Sequence, residues 1–339
     1  MTTDAVLRVE NLVVGFDTDA GHLTAVDGIS FEVPRGKTLG IVGESGSGKS
    51  VTALSIMRLL PQPMGKITGG AIYFDGKNLA EVSLAEMRKI RGNRIGMVFQ
   101  EPMSALNPVH RIGRQLTEVI LLHNAISKKE ADARAVELLK KVGIPAAEER
   151  MLAYPHQLSG GMRQRVVIAM ALACNPDLLI CDEPTTALDV TIQAQILDLL
   201  KSLQRELKMS IILITHDLGV IAENCDEVAV MYAGRIVEKT SVLRLFSSPR
   251  HAYTQALIKA IPSLDSQPKT RLPAIEGMVP GLAELKPGCR FAPRSGRPYT
   301  EEDLLVRPPF IEISPGHWVE ASRVCVELTA KAFDDDTAN

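Results

Sequence analysis

The densest chemistry in the chain is the string Gly43-Glu44-Ser45-Gly46-Ser47-Gly48-Lys49-Ser50, a G-x-x-x-x-G-K-S pattern. Its glycines let backbone N–H groups turn inward around phosphate oxygens, and a helix starting behind them aims its positive dipole end at the same place. Lys49 would reach the β- and γ-phosphates, and the Ser50 hydroxyl would bind Mg²⁺. Alone, the string admits any nucleoside triphosphatase of this loop class. A second group is Leu178-Leu179-Ile180-Cys181-Asp182-Glu183, an apolar run ending in two acids. Carboxylates at the C-terminal edge of a sheet lie where α/β proteins bind ligands. Asp182 would hold Mg²⁺, directly or through water, and Glu183 would polarise an attacking water as general base. Acid-ended strands are common, so this group gains force only beside the loop. A third is Leu158-Ser159-Gly160-Gly161-Met162-Arg163-Gln164-Arg165, where a serine and two glycines open a helix and make another anion site. A helix cap needs Ser159 alone, which leaves the paired glycines without a purpose.

The elements that must hold these groups are readable from pattern. Short β-like runs at 7–9, 13–16, 23–26 and 29–33 precede a turn at Pro34-Arg35-Gly36. Residues 39–42 read as a buried strand that feeds the phosphate loop, and 51–60 continue as a helix until Pro61. A strand at 71–74 follows. From about 102 to 175 the texture is helical, at 112–122, 128–142 and 161–173, as if a helical block were inserted into an α/β sheet. Strands resume at 178–181, 211–215 and 228–232, with a helix from 191 to about 207. Such alternation predicts a largely parallel sheet flanked by helices. Beyond about 241 the composition changes, proline is dense from 262 to 315, and Asp334-Asp335-Asp336 reads as a frayed acidic end. This region reads as a tail or small appendage without a large core of its own.

Bulk properties narrow the class. With 339 residues, 45% hydrophobic and 23% charged, the chain has the composition of a soluble globular protein. Its net charge of -2 gives no global footprint for nucleic acid. The basic cluster Arg88, Lys89, Arg91 and Arg94 is best read as a solvated helix face. The N-terminus lacks the pattern of a signal peptide, and no apolar run reaches the roughly 18–20 residues that cross a bilayer. If the protein works at a membrane, another chain must supply the span. Cys174, Cys181, Cys225, Cys289 and Cys325 form no CxxC pair, and an odd count is not a disulfide framework. The first three read as reduced core residues, and a cytosolic location is the expectation.

With Ser159-Gly160-Gly161 the chain resembles the nucleotide-binding subunits of ATP-binding-cassette transporters, whose signature motif is LSGGQ; Met162 stands where that signature has Gln. The rest of the family's set follows in order. Gln100 matches the glutamine that contacts Mg²⁺ and the attacking water and senses the transmembrane partner. Ala187-Leu188-Asp189 matches the loop crossing the dimer interface, His216 the switch histidine at the γ-phosphate, and Phe16 the aromatic that stacks on adenine. The resemblance implies that catalysis falls to Glu183, His216 and Gln100. Nucleotide binding would fall to Gly43, Ser45, Gly46, Gly48, Lys49, Ser50, Val51 and Phe16, with Ser159, Gly160, Gly161 and Asp189, and Mg²⁺ to Ser50, Gln100 and Asp182. It also implies an α/β P-loop nucleotide-binding cassette: a RecA-like, mainly parallel sheet core, an antiparallel β subdomain, an inserted α-helical subdomain at about 102–175, and a C-terminal extension. The cassette would span 1–240 and the extension 241–339. In this family two subunits pair head to tail, so each ATP lies between one phosphate loop and the partner's signature, and ATP would favour the closed pair.

Longer strings select a branch. Gln100 to Pro108, Thr185 to Leu197, Ser248 to Leu257 and Gly288 to Arg294 all look like the peptide and nickel importer ATPases of bacteria, and the likeness runs from about 6 to 320. It implies an ATPase that energises dipeptide or oligopeptide import, peripheral on the cytoplasmic face of the inner membrane. Its partners would be a second ATPase subunit, identical or related, two permeases and, indirectly, an extracytoplasmic binding protein, with no nucleic acid. The alternatives are the same role for nickel or another small solute, or a soluble cassette ATPase outside transport. Many tails of this branch carry four cysteines resembling iron–sulfur ligands. Here Cys289 holds the first position, Ser295 the second, Glu320-Ala321 the last, and Cys325 is four residues out of place, so no cluster is expected.

Overall fold

The computed structural model describes residues 4–19, 21–101, 105–186, 188–261 and 275–326. Pro102, Met103, Ser104, Ala187, the first part of the proline-dense stretch and Asp334-Asp335-Asp336 lie outside the described residues. In chain order the strands are β1 (Ala5–Thr18), β2 (Gly21–Pro34), β3 (Thr38–Val42), β4 (Gly65–Phe74), β5 (Lys77–Asn78), β6 (Ile95–Val98), β7 (Leu178–Asp182), β8 (Ser210–Thr215), β9 (Glu227–Tyr232), β10 (Arg235–Ser241), β11 (Phe310–Ser314) and β12 (His317–Glu320). The chain gathers into two compact units. One takes residues up to 7, 32–38 and 73–214; the other takes 8–31, 39–72 and 215 onward.

The four short runs expected before residue 34 are parts of two 14-residue strands. Asn11 and Gly28 lie inside them with φ of 46° and 67°, left-handed positions that bend a strand without ending it. In turn, β2, β1 and β4 neighbour one another, and β4 closes an antiparallel hairpin with β5. The helix after the phosphate loop is shorter than expected, Lys49–Ile56. Arg58 at φ 50° lets the Leu59 N–H reach the Leu54 carbonyl at 2.8 Å and its own N–H reach Ser55 at 3.0 Å, a Schellman closure that stops the helix before Pro61.

In the unit containing residues 73–214, β6, β7 and β8 run parallel, Ile95 opposite Leu178 and Leu178 opposite Ser210. All three are buried throughout, as parallel strands covered on both faces must be. The four-residue β6 had no counterpart in the sequence reading, because so short a run lacks a period. A Cβ on its Gly96 would lie 2.4 Å from the Ala171 carbonyl, so the strand and the helix Gly160–Ala171 approach as only glycine permits. Between β6 and β7 lie the helices Ile112–His123, Lys128–Lys141, Ala147–Arg150 and Gly160–Ala171, the expected inserted block. The second begins with a capping box, Ser127 with Glu130, and buries Ala131, Ala135, Leu138 and Leu139 along one face. Within the basic cluster, Arg94 is structural: it pairs with Asp75 and Asp177 and stacks over Phe74, whereas Arg88 and Lys89 are exposed.

In the other unit β3 pairs β9 in parallel, and β9 turns into β10 through Ala233 and Gly234, both with positive φ, a tight hairpin of the primed kind. The extension then joins the same sheet. Strand β12 pairs antiparallel with β10, and β11 with β12. Tyr253, Cys289, Phe291 and Cys325 share one apolar cluster with Val42, Val230 and Tyr232, so the extension builds on the core of this unit. Asp27 takes the guanidinium groups of Arg235, Arg290 and Arg307, and Arg235 also bonds Glu320. Burial raises the Asp27 pKa, but the three cations more than offset it and hold the carboxyl ionised. Among the described residues no helix is long and apolar enough to cross a membrane.

Glu238 on β10 is fully buried and accepts hydrogen bonds from the N–H groups of Arg250 and His251 and from His317 Nε2. His251, also fully buried, caps the helix Ala252–Lys259 by accepting the Tyr253 N–H at its Nδ1. Burial pushes its pKa down to about 4, so the native imidazole stays neutral where the unfolded chain would protonate it near 6.5. Stability therefore falls as pH drops from about 6.5 toward 4, by about 2 kcal/mol at pH 5 from this group. Urea midpoints measured between pH 7 and 5 should decline accordingly, and His251→Asn, whose oxygen can keep the cap bond, should flatten the decline.

Candidate functional site

The phosphate loop leaves β3, whose five residues are all buried, and ends at the helix Lys49–Ile56. Its shape needs three glycines for distinct reasons. A Cβ on Gly43 would stand 2.1 Å from the Met231 carbonyl, while Gly46 and Gly48 have φ of 79° and 100°. Gly48 is the helix N-cap in left-handed geometry, which turns the first helical N–H groups toward the loop. Lys49 is 5% exposed, and its ammonium donates to the carbonyls of Gly43 at 2.7 Å and Glu44 at 3.0 Å. The cation is thereby folded over the loop and carried to where phosphate oxygens would lie. Among the described residues, Ser47 Oγ is buried without a protein partner. Ser45 and Gly46 are exposed at the crest, Ser50 is half-buried, and Val51 forms part of the first helical turn. Phe16 on β1 is half-buried, with its ring edge against Gly65. His216 is exposed in the turn after β8, just ahead of Asp217, which caps the helix Leu218–Asn224 through the N–H groups of Gly219 and Val220. All these residues belong to the unit containing 215 onward.

The other unit holds the acids. Asp182 ends β7, 5% exposed and opposite Ile214 of β8. Glu183 follows with φ of 47°, a left-handed conformation that costs a bulky residue energy and persists only where the surroundings impose it. The Glu183 N–H donates to the Ile214 carbonyl at 2.9 Å, which supplies that constraint. Its Oε2 accepts Gln100 Nε2 at 3.1 Å and Thr186 Oγ1 at 2.9 Å. The strained backbone and two donors aim one carboxylate, as a general base requires. The sequence reading found Gln100 and Glu183 but gave Thr186 no role. Gln164, in the signature string, is buried and donates to the Pro184 carbonyl at 2.6 Å, which ties the signature helix to the segment after the acids.

Ser159 caps the helix Gly160–Ala171 through the Met162 N–H at 3.4 Å, and Asp189 caps the helix Val190–Leu207 through the Ile192 N–H at 3.0 Å. The two helix starts lie against each other. A Cβ on Gly161 would be 2.8 Å from Ile192 Cγ2, and Gly160 faces Leu188. Gly161 thus has a packing reason to be bare. Ser50, Asp182 and Gln100 each carry a side-chain oxygen, the donor type a hard cation such as Mg²⁺ takes. At the positions matched to iron–sulfur ligands, Ser295 bonds the Ala292 carbonyl and Glu320 is paired with Arg235, while Cys289 has its Sγ 3.1 Å from that of the displaced Cys325. Two thiols fall short of the four ligands such clusters take, so this donor set does not fit one.

A family model described as ABC transporter matches residues 26–186, and one described as oligopeptide/dipeptide transporter, C-terminal region, matches residues 237–301. The oligopeptide transport ATP-binding protein OppD of Bacillus subtilis is 52% identical over 317 residues, covering 93% of this chain and 88% of that protein. The dipeptide transport ATP-binding protein DppD of the same organism is 54% identical over 291 residues, covering 86% and 87%. Among solved structures, a dimeric ATP-binding cassette in a post-hydrolysis state bound to ADP and Pi aligns with TM-score 0.63 at 30% identity, covering 70% of this chain and 98% of that one. The cbiO1 protein of Clostridium perfringens, part of an ABC transporter complex, aligns with TM-score 0.61 at 31% identity, covering 72% and 92%. The phosphate loop, the acid-ended β7, the signature helix and an extension of the matching kind thus occur in one chain: it belongs to the ATP-binding-cassette transporter ATPases, in their oligopeptide/dipeptide branch.

Proposed function

We propose that this chain binds and hydrolyses ATP to energise the import of dipeptides or oligopeptides by a membrane transporter. The observation that carries the reading is the succession of a cassette at 26–186 and a peptide-transporter C-terminal region at 237–301, within relatives more than half identical over most of their length. Lys49 exchanges its two carbonyl partners for β- and γ-phosphate oxygens, and the N–H groups of the loop and first helical turn cradle the rest. Phe16 stacks on the adenine. Ser50, Asp182 and Gln100 would hold Mg²⁺, which would supply charge neutralisation at the phosphates. Glu183, aimed by Gln100 and Thr186, takes a proton from the attacking water, and His216 contacts the γ-phosphate.

Ser159, Gly160, Gly161 and Asp189 act on the nucleotide of a second ATPase subunit, whose signature in turn meets this chain's loop. Two permease subunits supply the membrane path and an extracytoplasmic binding protein delivers the solute. The chain sits peripherally on the cytoplasmic face, and it carries ATP and Mg²⁺ without an iron–sulfur cluster. Purified protein with stoichiometric iron and a broad visible absorbance would contradict the last point.

Glu183→Gln keeps the side-chain volume and removes the base. It should bind ATP and lower turnover roughly 10²–10³-fold, with the protein accumulating as an ATP-bound pair by size exclusion. Unchanged hydrolysis would remove Glu183 from that role. Lys49→Ala should weaken nucleotide binding itself by about tenfold or more, since it removes a charge-assisted contact. Uptake of labelled peptide, compared with nickel, in a strain lacking this chain tests the substrate class.

A further inference from the structure

The proposed mechanism uses the glycines, Lys49 and Ser50 of the phosphate loop and leaves Glu44 without a task. Glu44 is nevertheless held through its carbonyl, its amide and its carboxylate. Its carbonyl accepts Lys49 Nζ at 3.0 Å and the Ser47 N–H at 3.2 Å. Its own N–H donates to the Tyr253 hydroxyl at 2.9 Å. Its carboxylate receives both terminal nitrogens of Arg294, at 2.8 and 3.0 Å, in a two-pronged pair. Tyr253 and Arg294 both belong to the C-terminal extension, 209 and 250 residues further along the chain.

Neither partner is free to drift. Tyr253 is fully buried, its ring packed against Tyr232 and Phe291 with centroids 4.7 and 5.2 Å away. The Arg294 side chain is 7% exposed, lies over the Tyr232 ring, and donates its Nε to the Glu276 carbonyl at 2.9 Å and an Nη to the Gly277 carbonyl at 3.1 Å. A guanidinium so fixed can hold a carboxylate in one orientation. It also offsets a negative charge that would otherwise stand in the loop that must receive a triphosphate.

Resting on the reading of Gly43–Ser50 as the ATP phosphate site, we propose that the C-terminal extension is a brace on the phosphate loop. Arg294 neutralises and orients Glu44, Tyr253 anchors its amide, and the loop's affinity for nucleotide depends on both. Arg294 and Tyr253 are positioning residues and touch no reacting atom. The extension thereby gains a function inside the ATPase cycle: any event that pulls it from the loop lowers nucleotide affinity.

The test is a titration of the full-length chain with a fluorescent ATP analogue, beside thermal unfolding and steady-state ATPase assays. Wild-type protein that fails to bind the analogue would sink the ATP-site reading itself, independently of the brace. With wild-type binding in hand, Arg294→Met should raise Kd about tenfold, raise the KM for ATP in parallel and leave kcat within about twofold. Adding Glu44→Gln to Arg294→Met removes the uncompensated charge and should bring Kd back to within about threefold of wild type, a recovery that a purely structural arginine would not give. Tyr253→Phe keeps the ring packing and should raise Kd about threefold. A folded Arg294→Met with wild-type Kd, or a double variant as weak as the single one, overturns the proposal. If Arg294→Met does not fold, Tyr253→Phe decides alone, and wild-type affinity in it overturns the brace.

Discussion

A polyanion can be gripped by backbone only where side chains are out of the way, and that constraint governs the architecture around residues 43–50. Gly43 must be bare because the Met231 carbonyl occupies the place of its Cβ, and Gly46 and Gly48 must turn left-handed so that the helix starts facing the loop. Strand β3 is buried along its whole length beside β9, which gives the loop a rigid base. Lys49 completes the arrangement, since its buried ammonium is held by carbonyls of the loop it serves. The cost of ordering that cation is met in folding, before any nucleotide arrives.

The same logic of preorganisation applies to the acids. The left-handed backbone of Glu183 is an unfavourable state imposed by the bond from its N–H to Ile214, and its carboxylate is then aimed by Gln100 and Thr186. Gln164 binds the signature helix to Pro184, so a shift of that helix would be felt next to Glu183. Coupling between the helical block and the acids therefore has a physical carrier within one unit.

The extension is part of the sheet that supports the phosphate loop. Strands β11 and β12 continue it beyond β10, and Tyr253 and Phe291 fill a core shared with Tyr232. Asp27, shared by Arg235, Arg290 and Arg307, is the polar counterpart of that core: removing it would take the carboxylate from the buried guanidinium of Arg290.

The sequence by itself determined the chemistry that is local. Phosphate-loop glycines, an acid pair after an apolar run, and serine or aspartate at helix starts act over a few residues, so type and spacing suffice to read them. It also disclosed the inserted helical block, whose period is long enough to count. It hid β6, β11 and β12, which are too short to show a period, and it split β1 and β2 at bends that only pairing reveals to be continuous. The tertiary structure alone decided the contacts that span the chain: Gln100 with Glu183 across 83 residues, Asp27 with Arg307 across 280, and Glu44 with Arg294 across 250. Such contacts depend on how sheets and helices close in space, and no rule of nearest neighbours encodes which arginine will find which carboxylate.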